Sequence, residues 1–153
     1  MNFVPRPELA VAEMRRVTVP GGIASLYVWD FSEKMELIRH FWDAAVSLDS
    51  GARELHEAKR YPLCKPEPLK KLFESVGFND VAVRAIDVIT VFKDFDDYWS
   101  PFLGGQGPAP AYAMSLKEGA RNALRDNLRA SLPIASDGSI SLIARAWAIK
   151  GVK

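Results

Sequence analysis

The sequence is short of several residue types, and each shortage narrows what the chain can be. Its 153 residues include one cysteine, Cys64, so an internal disulfide and a cysteine-built zinc site are both excluded. The two histidines, His40 and His56, lack metal-ligand spacing. An excess of one charge is missing too. Lys and Arg number 20 against 19 Asp and Glu, leaving a net +1 that gives no reason to expect nucleic acid or an anionic membrane as partner. No run approaches the roughly 20 apolar residues that cross a bilayer, and residues 1–7 lack an apolar stretch of signal-peptide length. The expectation is a soluble, cytoplasmic protein with no nucleic-acid or membrane partner.

With 48% hydrophobic and 25% charged residues, the chain has enough apolar material for one domain with a core. Pro7 suits the first turn of a helix over 8–17, with Leu9, Ala10, Met14 and Val17 inward. Val19-Pro20-Gly21-Gly22 ends it. The apolar run 23–29 reads as a strand buried on both faces. Ser32 is placed to cap a helix over 33–48, whose Met35, Ile38, Phe41, Trp42, Ala45 and Val46 form a wide apolar stripe. Residues 49–65 are polar and irregular. A helix over 67–76 carries Leu69, Leu72, Phe73 and Val76, with Gly77 as its stop. A second strand over 81–92 shifts phase between Val83 and Ile86, which predicts a bulge there. Residues 94–103 form a short aromatic helix, and 104–110 read as a loop. Ser115-Leu116-Lys117-Glu118 has capping-box spacing for a helix to Ser131, with Leu116, Ala120, Leu124 and Leu128 on one face. The last strand, 139–149, is apolar on both faces and therefore expected at the centre of a sheet.

Glu13-Met14-Arg15-Arg16-Val17-Thr18-Val19-Pro20-Gly21-Gly22, leading into a strand that ends Tyr27-Val28-Trp29-Asp30, resembles the second half of class I S-adenosylmethionine-dependent methyltransferases. Phe95-Asp96-Asp97-Tyr98-Trp99, followed by Pro101-Phe102-Leu103-Gly104-Gly105, is similar to the small-molecule branch known as type 11. The resemblance implies an α/β fold, the C-terminal half of a Rossmann-like sheet. Strand 23–29 would be the family's fifth, 81–92 its sixth, and 139–149 its antiparallel seventh, inserted between them. Residues 33–48 and 94–131 would be helical lid insertions. The cofactor implied is S-adenosylmethionine. Its glycine-rich turn and ribose-binding acidic residue would belong to an N-terminal half lying ahead of Met1, so residues 1–153 read as one partial domain that does not hold the cofactor alone. Gly104-Gly105-Gln106-Gly107 follows an aromatic helix rather than a buried strand and does not replace that turn.

On this alignment Asn2 and Phe3 fall on the cofactor side, and Trp29 and Asp30 at the carboxyl end of a strand beside the substrate. Trp42, Phe102 and Tyr112 would line an apolar acceptor pocket under the lid. Each has a plainer reading: Phe3, Trp29 and the three lid aromatics as core, and Asp30 as a helix cap. His40 and His56 read first as solvated surface histidines, and Cys64 as a small packing residue. Lys117, Arg121, Arg125 and Arg129 form a basic stripe that reads as a solvated helix face rather than a phosphate site. Without a fourth strand, 23–29 would present an apolar edge. A homodimer, or a complementing N-terminal half, is expected to cover it. Three roles stay open: a piece of a small-molecule methyltransferase, one subunit of a split enzyme, or a non-enzymatic interaction protein.

Overall fold

Pro7 opens the first helix, α1 (Pro7–Val17), in the computed structural model, which describes residue 1 and residues 3–153. Asn2, assigned above to the cofactor side, lies outside the described residues. The inward stripe of α1 is Pro7, Val11 and Met14, at i, i+4 and i+7, with Val11 wholly buried. Leu9 and Val17, expected inward, lie on the neighbouring stripe and face out. The helix ends on satisfied carbonyls. Thr18 Oγ1 donates to Met14 O at 2.7 Å, and Lys153 Nζ donates to Arg16 O and Thr18 O at 3.1 and 2.7 Å. Gly21 then takes φ +73°, a conformation glycine adopts without steric cost. The turn it allows brings Gly21 N within 2.9 Å of Lys153 O, while Lys153 N donates back to Gly22 O.

That closure starts the sheet in register. Strands β1 (Ile23–Trp29), β2 (Asn79–Phe92) and β3 (Ile140–Val152) lie in the order β1-β3-β2, with β3 antiparallel to both neighbours. Ala148 faces Tyr27 on one side and Arg84 on the other. The central place of β3 and the order of the three strands agree with the expectation. The bulge does not. It falls between Asn79 and Ala82, beside Asp80 at φ +48°, and pairing from Ala82 onward is unbroken. β2 is exposed along most of its length, so its change of apolar phase does not track burial. β1 is not buried on both faces either: Ala24 and Val28 are covered, whereas Ile23 and Tyr27 are 62% and 67% exposed.

One face of the sheet carries α1 and α4 (Pro66–Ser75), which set Val11, Leu69 and Phe73 against Ala24, Val28 and Ile149. The approach is close at Gly151, where a Cβ would stand 2.8 Å from Phe78 Cβ and 3.2 Å from Phe73 Cδ1. Over the far end of the other face sits a helical group: α2 (Glu36–Leu48), α5 (Phe95–Trp99), α6 (Pro108–Ser115) and α7 (Glu118–Ser131). Its Phe41, Trp42, Tyr98, Phe102, Leu124 and Leu128 pack with Phe92, Ile140 and Leu142. Short helix α3 (Glu57–Arg60) and two 3-10 turns link α2 to α4. The rest of that second face, from Ile23 and Tyr27 across to Ile86, stays open to solvent.

Three helix starts differ from the sequence reading. Ser32 does not cap α2. After β1 the chain turns and rejoins the sheet edge, where Lys34 O accepts from Arg145 N, Met35 bridges Ala144, and Glu36 Oε2 accepts from Ile143 N at 2.7 Å. Helix α2 therefore begins only at Glu36. The segment 104–110 is not all loop, because Pro108 and Pro110 sit in the first turn of α6, where a missing N–H costs nothing. Ser115 forms no capping box; its Oγ donates to Tyr112 O, and α7 starts at Glu118. Leu116, Ala120 and Leu124 do share one face, lining a common groove, although Ala120 itself is exposed.

Candidate functional site

In an open α/β sheet the carboxyl ends of parallel strands are where ligands gather. β1 and β2 run parallel to each other, and β1 ends at Trp29 and Asp30. Trp29 is 39% exposed. Asp30 is buried, and its Oδ1 accepts from Ser32 N at 3.1 Å, Ser32 Oγ at 2.6 Å and Glu33 N at 3.1 Å. Three donors on one oxygen make Asp30 the organiser of the turn after β1 rather than a group free to meet an acceptor. Beneath that turn Cys64 packs with Phe31 and Met35. Burial, and then the nearby Asp30 charge, push its thiol up, so it is a packing residue and a poor nucleophile.

Trp42, Phe102 and Tyr112 do come together, and the residue that gathers them is Phe41. Phe102 stacks on Phe41 with centroids 4.5 Å apart and planes at 17°. Trp42 and Tyr112 meet it edge-on at 5.3 and 6.3 Å. Trp42 and Phe102 are wholly buried, so both are core. Trp42 Nε1 donates to Glu57 Oε2, a partner in the polar linker. Glu57 is itself buried, and its carboxyl is pushed up by burial against the opposing pull of that hydrogen bond. His56 stacks on the Trp42 ring at 5.9 Å, and its Nδ1 accepts from Ala58 N. Burial pushes His56 down; His40 is pushed down by burial and then by adjacent Arg39. Neither is a solvated surface histidine.

Of the three aromatics, Tyr112 lines a cavity. A groove of about 400 Å³ runs between α2, α6 and α7, walled by Ala45, Leu48, Leu116 and Leu124. At its polar end Tyr112 OH donates to Asp49 Oδ2 at 3.4 Å, while Asp49 Oδ1 accepts from Gly51 N. Burial first, then the Asp49 charge, push the Tyr112 hydroxyl up, so it stays protonated across the physiological range.

Phe3 is 70% exposed and meets Tyr61 edge-on at 5.2 Å. Tyr61 in turn contacts Phe31, the residue after Asp30, so Phe3 lies on the carboxyl-end side of β1. The described residues do not fit an adenosyl-sulfonium cofactor. Gly104-Gly105-Gln106-Gly107 joins a 3-10 turn to α6 with no strand before it. The turn after β1 contains no glycine, and its acidic residue already accepts three hydrogen bonds. The basic stripe of α7 is held by the protein itself. Arg125 pairs with Asp96 at 3.1 Å, Arg125 and Arg129 lie over the Phe95 ring, and Arg121 reaches Met114 Sδ. Among the described residues no His, Cys, Asp and Glu cluster could hold a metal ion, and no helix is long and apolar enough to cross a membrane.

No protein-family model matches the chain, and no curated protein matches it in sequence. Among solved structures it is similar to a "putative methyltransferase" from Bacillus halodurans C-125, with 15% identity and a TM-score of 0.46. The superposition covers 97% of this chain and 58% of that one, so the chain spans little more than half of its neighbour's length.

Proposed function

We propose that this chain is the acceptor-side portion of a class I, type 11-like S-adenosylmethionine-dependent methyltransferase for small molecules, working in the cytoplasm with cofactor-holding strands from other sequence. One observation carries this reading. A central strand antiparallel to two mutually parallel neighbours, the first of which, β1, is entered from Pro20-Gly21-Gly22, is the arrangement the resemblance calls for. The aromatic helices over the carboxyl end of β2 favour a small, partly apolar acceptor. Transfer of a sulfonium methyl depends chiefly on holding donor and acceptor in line, and positioning is what such helices supply. Trp29 and Tyr112 are the residues of this chain we assign to the acceptor; Asp30, Trp42 and Phe102 hold the frame around them.

Two measurements test this. Calorimetry of the chain with S-adenosylmethionine is expected to show no binding, and micromolar affinity would overturn the division of labour. Sequencing the DNA on both sides of the coding segment is expected to reveal a strand–glycine-rich turn–helix unit, either in frame or in an adjacent gene. Finding neither would leave an interaction protein rather than an enzyme.

A further inference from the structure

The open part of the sheet is a shaped surface. On it Ser25, Ala82 and Ala148 form a shallow floor, and Tyr27, Arg84 and Lys150 rise around them to enclose about 550 Å³. Ile23 and Ile86 continue the apolar surface at either side and are 62% and 48% exposed. Large aliphatic and aromatic groups left together in water on one sheet face mark a surface that binds something. The charges say what. Arg84 and Lys150 are exposed, form no ion pair among the described residues, and share the trough with no carboxylate.

We propose that this face docks one acidic amphipathic α-helix, its apolar stripe on Tyr27, Ile23 and Ile86 and its flanking carboxylates on Arg84 and Lys150. Dimensions agree. Three strands about 4.8 Å apart span roughly 10 Å, the width of one helix. The seven residues of β1 extend about 23 Å, the length of roughly four helical turns. The short floor residues let a helix lie close. A second copy of this chain fits less well, because a two-fold interface would set Arg84 and Lys150 against themselves with no acid to offset them. The proposal deepens the reading above, since the segment supplying the cofactor-holding strands is the natural source of such a helix.

The test uses the intact chain and two synthetic 18-residue helices with the same leucine stripe, one flanked by Glu and one by Lys. In amide-resolved NMR titrations without cofactor, the Glu helix is expected to bind at micromolar concentration and to shift Ser25, Tyr27, Arg84 and Ala148. The Lys helix should bind at least tenfold more weakly. R84E/K150E, substitutions at exposed positions whose folding is checked by circular dichroism, should reverse that order. Equal affinities, no binding, or shifts confined to the α2–α7 groove would each refute the proposal. So would a dimer by light scattering that Tyr27→Asp dissolves, since that would assign the face to a second copy. Because no cofactor is present and the helices carry no glycine-rich turn, the titration reads the docking face alone, and its failure is separate from the calorimetry and sequencing that test the methyltransferase reading.

Discussion

Trp42 and Glu57 illustrate how much a single pair can decide. The indole N–H sits in the core with one acceptor, a carboxylate that burial has already made hard to ionise. Replacing Trp42 by Phe removes the donor and leaves that carboxyl buried beside a hydrocarbon. A loss of about 1–3 kcal/mol is expected, read as a lower urea midpoint at unchanged slope. Glu57→Gln keeps an acceptor for the indole and removes the cost of ionisation, so it should lose far less. The sign follows from the raised carboxyl. Its contribution is full below the ordinary glutamate range and declines as pH rises through its folded value. The half-buried histidines act oppositely. Because folding lowers both, their contribution is present above about pH 6.5 and lost as pH falls from there. Urea midpoints measured from pH 7 down to pH 5.5 should therefore fall, and less steeply in His56→Gln; an unchanged slope would refute a role for His56. Little of this was legible in the sequence. Trp42 announced itself through its apolar stripe, but Glu57 is an unremarked acid in a polar linker, and nothing local links it to a tryptophan.

At the scale of elements, the joints between strands and helices carry the constraints. Gly151 is where β3 passes beneath Phe73 and Phe78, and a methyl there has no room. Gly151→Ala should cost about 1–3 kcal/mol and lower the thermal midpoint by several degrees. A neutral result would mean the two phenylalanines can withdraw. The turn after β1 is the second joint, where Glu36 does the work of a strand partner for Ile143. Burial opposes its ionisation, but the Ile143 amide and Lys34 outweigh that and hold it below the usual carboxylate range. Elements of this kind divided sharply in legibility. The apolar doubling of residues 139–149 made β3 readable as central, and α4 was readable from four regularly spaced apolar residues. The helix starts were not, because Ser32 and Ser115 turn their hydroxyls back onto Asp30 Oδ1 and Tyr112 O, local acceptors that compete with the amides ahead of them. Two-sided burial of β1 was misread for a related reason: an apolar run records what a face could be packed against, not whether anything is there.

Seen as a whole, the molecule is unevenly protected. β3 is hydrogen-bonded on both sides, whereas β2 forms an outer strand with Val88, Ile89 and Val91 in solvent. Hydrogen exchange should find the β3 amides between Ala146 and Ile149 the slowest, with β2 amides that point away from β3 exchanging orders of magnitude faster. Comparable rates would mean that something covers β2 in solution.

The strand order has a consequence for how the chain reaches this state. β3 lies between two strands that cannot pair with each other, and it is the last of the three in the sequence. Ile23 must find Val152 across almost the entire polypeptide before β1 has its hydrogen-bonded partner. Closure on that scale is entropically late, and topologies dominated by distant pairings fold in milliseconds to seconds rather than microseconds. Until it happens, the apolar runs of β1 and β2 are loose ends in the same chain, each a template for the wrong partner. An acidic helix that seats itself on Tyr27 and Arg84 early would act as a folding chaperone in cis or in trans, holding the outer strands apart for the one that belongs between them.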